Sequence, residues 1–254
     1  MPFPVGDWVR DQIRLQQVDD LDAAGRLLAA GPNAPEFIVL AQSRPGQFAA
    51  ARIDALRRLA PLARIGRLLG SWCEGESRSG QPPSGCVSSY WHQWPARWAR
   101  DLARFRGGHT PGWALPVTLS ADERTLAAAE YPIQRRAGSI AIYARHAQTA
   151  AALGDACRLG GYRPLLVREG QRASAPGALA VIWDADVERM TDPAALQIVR
   201  TCAGQGPLLA LVTFPRADDC RRAAEAGLAG VISKPFLVQD LLWHLDRVAR
   251  PAAS

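Results

Sequence analysis

The chain contains a single lysine, Lys234, among 30 basic residues, and it has no long apolar run. No apolar stretch approaches the roughly 18 residues that mark a membrane-spanning helix. The beginning of the chain also lacks a basic segment followed by an apolar one, which is the pattern of a secretory signal. These absences predict a cytoplasmic protein that does not cross a membrane.

The cysteines form no recognisable ligand pattern. There are five of them, an odd number, and none has the C-x-x-C spacing. Cys73, Cys86 and His92 could suggest zinc, but their spacing matches no common zinc motif and no fourth ligand is evident. No glycine-rich phosphate loop follows a strand, and no catalytic signature is present. We therefore predict a protein that is not an enzyme and that holds no metal or cofactor.

Length and composition favour a globular protein with two domains. The chain has 254 residues, of which 48% are apolar and 21% charged, and this length accommodates two domains of ordinary size. The net charge of +6 permits weak attraction to nucleic acid. No basic tail concentrates that charge, so nucleic acid is not the expected partner.

One stretch, residues 208–236, has the pattern of a parallel α/β sheet. An apolar run ends on Thr213, helix-period residues follow as far as Gly227, and a second apolar strand leads into Lys234. Function in such sheets gathers at the carboxyl ends of strands. Thr213 and the only lysine both occupy such ends. An ammonium group is a compact point charge, unlike the planar guanidinium that the chain uses elsewhere.

Thr213, followed by Lys234 and Pro235, resembles the receiver domain of bacterial response regulators. Upstream, the strand at 178–186 resembles the central strand of that family and places Asp184 at the position of its phosphorylated aspartate. The resemblance covers about residues 138–250. It implies a flavodoxin-like, doubly wound parallel sheet, contacts of the Thr213 hydroxyl and the Lys234 ammonium with phosphoryl oxygens, and a cis peptide bond before Pro235.

The strand at 139–147 departs from the family. Receiver domains end this strand with two acidic residues that hold magnesium, whereas the matching positions here are Ala144 and Arg145. Magnesium requires oxygen ligands and neutralises charge in phosphoryl transfer. The departure predicts a pseudo-receiver without metal-dependent phosphorylation, in which Arg145 pairs with Asp184 in place of the metal. The alternative is a phosphorelay receiver that is phosphorylated on Asp184 with another group replacing the metal pair.

The N-terminal half shows a similar spacing. Strands are predicted at 14–21, 37–41 and 65–72, with helices after the first two. Ala41 and Ser71 are 30 residues apart, close to the 29 between Asp184 and Thr213. Ser71 and Trp94 are 23 residues apart, close to the 21 between Thr213 and Lys234. We therefore predict a second receiver-like unit in degenerate form, because its Ala41 cannot accept a phosphoryl group.

This alignment leaves the first strand of the N-terminal sheet without a counterpart. An empty position inside a sheet would leave backbone groups unpaired. We predict that residues 113–119 or residues 2–5 fill it; otherwise the chain begins upstream of Met1. The predicted organisation is a degenerate receiver-like domain at 1–106, a linker with a short helix at 107–137, and a receiver-like domain at 138–254.

The resulting hypothesis is a two-component signal-transduction protein that acts by protein–protein interaction. The expected partner is a histidine kinase or an output protein, and a homodimer could form through the last two helices and the strand between them, residues 217–247. A flavodoxin-like domain that binds a small molecule is a less favoured reading. The least favoured is a nucleic-acid adaptor that uses the arginines of 90–106 (Arg97, Arg100, Arg104 and Arg106), because Trp94, Trp98 and Leu102 in that segment recur at helical spacing and are predicted to pack inward.

Overall fold

The chain divides into two compact units, Met1–Ala128 and Ala129–Ser254. A computed structural model describes residues 13–31, 34–76, 83–116, 118–129, 133, 135–168, 175 and 177–249. Within these ranges, no helix has both the length and the apolar character that crossing a membrane requires.

The N-terminal unit contains a three-stranded parallel sheet in the order β1-β2-β3. Its strands are β1 (Phe37–Gln42), β2 (Arg64–Leu69) and β3 (Cys86–Tyr90). Its helices are α1 (Leu21–Ala30), α2 (Ala50–Leu59), α3 (Trp94–Arg106) and α4 (Ala121–Ala129), with short 3₁₀ turns at Ser71–Cys73 and Gly112–Ala114. The strand predicted at 37–41 is confirmed. Of the strand predicted at 65–72, residues 65–69 belong to β2, whereas Ser71 and Trp72 lie in the 3₁₀ turn.

Apolar side chains bury both faces of this sheet. On one face, Leu40 and Ile65 pack with Ile53 and Leu56 of α2. On the other face, Leu68 packs against Trp94 and Trp98 of α3. Because the tryptophans and Leu102 are buried, the inward packing predicted for this helix is confirmed. Burial on both faces explains why the strands have continuous apolar runs.

Two predicted strands of the N-terminal unit are wrong. Residues 14–20 form no strand; the carboxylate of Asp20 instead accepts a hydrogen bond from the backbone N–H of Ala23 (2.7 Å) and caps α1. Residues 112–114 form a 3₁₀ turn, and Trp113 stacks on Trp98 with ring centroids 4.7 Å apart. The turn therefore covers a face of the sheet instead of extending it. Residues 2–5, the other predicted filler, lie outside the described residues.

The C-terminal unit has five parallel strands in the order β5-β4-β6-β7-β8. They are β4 (Ser139–Ala144), β5 (Arg163–Arg168), β6 (Ala180–Asp184), β7 (Leu208–Thr213) and β8 (Gly230–Lys234); the helices are α5 (Ala147–Leu159), α6 (Pro193–Ala203), α7 (Ala217–Glu225) and α8 (Val238–Val248). Numbered within the unit, the order is 2-1-3-4-5. This is the doubly wound topology that the receiver resemblance predicted, and it is confirmed.

The core of this unit lies on both sides of the sheet. Ile140, Ile142 and Leu209 pack with α5 and α8 on one side, whereas Val181 and Val212 belong to the cluster on the side of α6. The strands β4, β6 and β7 are buried almost completely, whereas β5 is largely exposed or half-buried. The two layers fix the strand ends and therefore the positions of the polar residues that follow them.

Candidate functional site at the strand ends

Asp184, Thr213 and Lys234 are the last residues of β6, β7 and β8. In the β7–β8 register Thr213 lies opposite Lys234, and in the β6–β7 register Asp184 lies opposite Leu211. Because parallel strands present their carboxyl ends at one edge of the sheet, the three residues share that edge. The Thr213 side chain is exposed there.

An ion pair joins two of these residues. The Nζ atom of Lys234 donates a hydrogen bond to Oδ1 of Asp184 at 2.7 Å. The Asp184 side chain is 10% exposed and that of Lys234 is 32% exposed. A charge-assisted hydrogen bond at this depth is stronger than a surface pair, because water screens it less. The peptide bond between Lys234 and Pro235 is cis, as the resemblance implied.

Arg145 has a different partner from the one that the sequence predicted. Its Nη2 atom donates to Oδ2 of Asp186 at 2.9 Å, while the carboxylate of Asp184 is held by Lys234. Both side chains of the Arg145–Asp186 pair are about half exposed. The guanidinium can therefore pair with Asp186 without losing most of its hydration, whereas reaching the nearly buried Asp184 would require desolvation. Ala144 is buried at the end of β4.

The donors at this edge do not fit a magnesium site. Magnesium needs near-octahedral oxygen ligation, but β4 ends in a methyl group and a guanidinium. The two carboxylates of the edge, Asp184 and Asp186, each bind a cationic side chain. Within the described ranges, no group of three or more His, Cys, Asp or Glu residues could hold a metal ion. The side-chain cations Lys234 and Arg145 therefore hold both carboxylates at this edge.

Two aromatic residues border the site in different ways. Trp183, beside Asp184, is 2% exposed and belongs to the core. Phe214 follows Thr213, is 50% exposed, and has a φ of 50°. Left-handed backbone is rare for a bulky residue, so Phe214 is a strained position beside the candidate site. Nothing in the sequence predicts this backbone conformation, because the position holds neither glycine nor asparagine.

The corresponding edge of the N-terminal unit has a buried polar cluster that the sequence did not predict. Nη2 of Arg67 lies 2.6 and 2.7 Å from the two carboxylate oxygens of Glu76 and donates to Oε1 of Gln42 at 2.8 Å. The Arg67 and Glu76 side chains are 1% and 8% exposed. An arginine inside a buried strand requires a buried partner. The position of Arg67 within an apolar strand could therefore have indicated a buried ion pair. Glu76 lies just beyond the 3₁₀ turn at Ser71–Cys73.

Other residues at or near this edge differ in exposure and in pKa. Ala41 is exposed at the end of its strand, and Ser71 accepts a hydrogen bond from Nε1 of Trp91 (3.1 Å) just beyond β2. Burial, and next the carboxylate of Glu76, raise the pKa of the Cys73 thiol. Burial, and next the Arg97 guanidinium, lower the pKa of His92 to about 4. A protonated thiol is a poor nucleophile and a poor metal ligand.

Comparisons with solved structures identify receiver domains as structural neighbours. Two of them are a receiver domain protein from Clostridium thermocellum (14% identity; 44% of this chain and 94% of that chain; TM-score 0.35) and the HemR receiver domain from Leptospira biflexa (18%; 46% and 98%; 0.35). A further similar structure is that of a candidate CpaE2 pilus assembly protein from Sinorhizobium meliloti 1021 (16%; 43% and 98%; 0.35). No protein-family model and no curated protein matches the chain. At these identities the likeness concerns the fold alone.

Proposed function

We propose that this chain is a signal-transduction protein of the response-regulator type, whose C-terminal unit is a pseudo-receiver that acts by binding another protein. The observation that carries the proposal is the arrangement of cations at the strand ends. Lys234 holds Asp184 at 2.7 Å and Arg145 holds Asp186 at 2.9 Å. Side chains thereby neutralise the edge where magnesium would otherwise be required.

Such a site suits a constitutive binding module. A receiver that switches must change the charge at its acceptor aspartate, and the metal neutralises the incoming phosphoryl group. Here Arg145 occupies the place of a metal-binding carboxylate and brings the opposite charge. We infer that the chain is not an enzyme and that its output is the contact of its surface with a histidine kinase or an output protein in the cytoplasm. The surface formed by residues 217–247 is one candidate face for a partner or a second copy.

A titration with magnesium and beryllofluoride, which mimics a phosphoryl group, tests this proposal. Trp183 is buried beside Asp184 and is one of eight tryptophans, so the part of the fluorescence that Trp183→Phe removes is the local probe. We expect no change in the unmodified protein. The double variant with Ala144→Asp and Arg145→Asp should respond, since it restores two carboxylates to the end of β4. Adding Asp184→Asn to that variant is the matched control and should abolish the response.

The alternative, a phosphorelay receiver that is phosphorylated on Asp184, predicts the opposite result. Its support is the shared edge of Asp184, Thr213 and Lys234. In that case the unmodified protein changes its fluorescence in a magnesium-dependent way, and Asp184→Asn alone removes the change. That outcome would overturn the pseudo-receiver proposal while leaving the response-regulator role in place.

A further inference from the structure

The outer edge of β1 differs from the other sheet edges of the molecule. Edge strands are normally protected from pairing with other chains by charges, prolines or polar residues. The edge strand β5 carries Arg163, Pro164 and Arg168, β8 ends in Lys234, and β3 contains two serines. The sequence of β1, FIVLAQ, has neither a charge nor a proline. It has the composition of a strand that is paired on both sides.

The backbone geometry shows which groups of β1 point outward. The carbonyls of Glu36 and Gln42 accept hydrogen bonds from Arg64 (3.0 Å) and Gly70 (2.8 Å) on the β2 side. Since the backbone groups of successive residues in a strand point to opposite sides, those of Phe37, Val39 and Ala41 point away from β2. Across the ranges that the structure describes, no strand pairs with them.

Two outward-pointing residues of β1 differ in size. The Phe37 ring lies over β2, so close to Gly66 that an added Cβ there would be 2.7 Å from the ring. Ala41 is small and exposed. The order β1-β2-β3 matches the order β6-β7-β8 in the C-terminal unit. There, the other side of β6 pairs with β4. The same position beside β1 is the one that the fold ordinarily fills.

We propose that this edge pairs with β1 of a second copy of the chain, in antiparallel orientation about a two-fold axis at Val39. Antiparallel pairing of outward-pointing residues places Val39 opposite its own copy, and Phe37 opposite Ala41. A large residue then faces a small one, and no like charges meet because the strand has none. An interface in which each copy presents the same patch is the usual form of a homodimer.

The oligomeric state in solution tests the pairing. Analytical ultracentrifugation of the full chain should show a dimer whose population rises with concentration, because one pair of short strands gives a small interface. Ala41→Glu should shift the protein to monomer, since it places two carboxylates on an uncharged edge. Ala41→Ser is the matched control and should remain dimeric. Circular dichroism should be unchanged in both variants because Ala41 is exposed.

Two results would overturn the proposal. One is a monomeric wild-type protein, as expected if another segment of the same chain covers the edge. The other is an Ala41→Glu variant that dimerises as strongly as the wild type, since the interface would then lie elsewhere, for example on residues 217–247.

Crosslinking tests the register. In a hydrogen-bonded antiparallel pair the Cα atoms are about 5.5 Å apart, within the range that a disulfide spans. Val39→Cys should therefore form a disulfide-linked dimer on mild oxidation, in a background where the two partly exposed cysteines, Cys86 and Cys220, are serine. Ile38→Cys is the control and should not, because it lies opposite Leu40. Equal crosslinking of both variants, or none with Val39→Cys, would contradict the two-fold register.

Discussion

Lys234 holds Asp184 through a hydrogen bond of 2.7 Å, and the carboxylate is the more deeply buried partner. The pair ties the end of β8 to the end of β6 across the intervening strand β7. Lys234 therefore stabilises the fold, independently of any phosphoryl group at the site. Removing either partner of the pair should change the free energy of unfolding.

Replacing Lys234 by methionine should destabilise the C-terminal unit. The substitution leaves a largely buried carboxylate without its cation, and we expect the free energy of unfolding to fall by about 1–3 kcal/mol. Adding Asp184→Asn should restore much of that loss, because the amide carries no charge. Urea unfolding measures both variants, followed by the part of the tryptophan fluorescence that Trp183→Phe removes. Strictly additive losses in the double variant would show that the two residues do not interact.

The Arg67–Glu76 pair should be the most sensitive ion pair of the N-terminal unit. Both side chains are at least nine-tenths buried, so Glu76→Gln leaves a buried guanidinium without its counterion. We expect a loss of about 3–5 kcal/mol in the free energy of unfolding. Chemical denaturation monitored by far-ultraviolet circular dichroism provides the measurement.

The matched control is the exposed pair of Arg57 and Asp54, whose atoms lie 2.8 Å apart. Asp54→Asn removes the same kind of contact in water and should cost less than about 1 kcal/mol. Similar losses at Glu76 and Asp54 would contradict the view that burial determines the strength of the effect.

The strained backbone at Phe214 predicts an unusual preference for glycine. Left-handed backbone costs a residue with a Cβ atom about 1–2 kcal/mol relative to glycine, and the φ of Phe214 is 50°. Phe214→Gly should therefore be more stable than Phe214→Ala by about 1 kcal/mol, although glycine is usually the less stable of the two. Midpoints of urea unfolding with unchanged slopes give the comparison. A more stable alanine variant would show that the position is not strained.

The sequence predicted most of the fold of the C-terminal unit because its buried strands are long apolar runs separated by helix-period segments. Residues 208–213 and 230–234 show this directly. Residues 14–20 were mistaken for a strand since Leu15 and Val18 are apolar, but both side chains are exposed. Residues 113–119 were wrongly predicted to fill a strand position in the sheet, because their apolar residues resemble those of a strand. Trp113 instead packs on the face of the sheet through the other aromatic rings.

The candidate site was predicted in its residues and only partly in its contacts. The strand ends fixed which residues share an edge, so the proximity of Asp184 and Lys234 followed from topology. Arg145 pairs with Asp186 because that carboxylate is far more exposed than Asp184. The exposure of a side chain cannot be read from the sequence. The Arg67–Glu76 pair escaped prediction for the same reason, because the neighbouring residues do not reveal that Glu76 is buried.

His92 should make the N-terminal unit less stable in mild acid. Burial, and next the nearby Arg97 guanidinium, lower its pKa from 6.5 to about 4, so the folded protein keeps the ring neutral where the unfolded chain protonates it. As the pH falls from 6.5 to about 4, the unfolded state binds the additional proton and stability declines. Below this window both states are protonated, and His92 causes no further loss.

The variant His92→Phe tests this linkage because it removes the titrating group and keeps a ring for the stacking contact with Tyr90, whose centroid lies 5.7 Å away. We expect the wild type to lose about 2 kcal/mol across the window, less than the full shift would give since the His92 ring is partly exposed. Over the same pH range, the loss of unfolding free energy in His92→Phe should be smaller than that of the wild type by about this amount. Urea unfolding at neutral pH and at about pH 5 measures the difference. Parallel pH profiles for the two proteins would mean that the His92 ring is protonated equally in the folded and unfolded states.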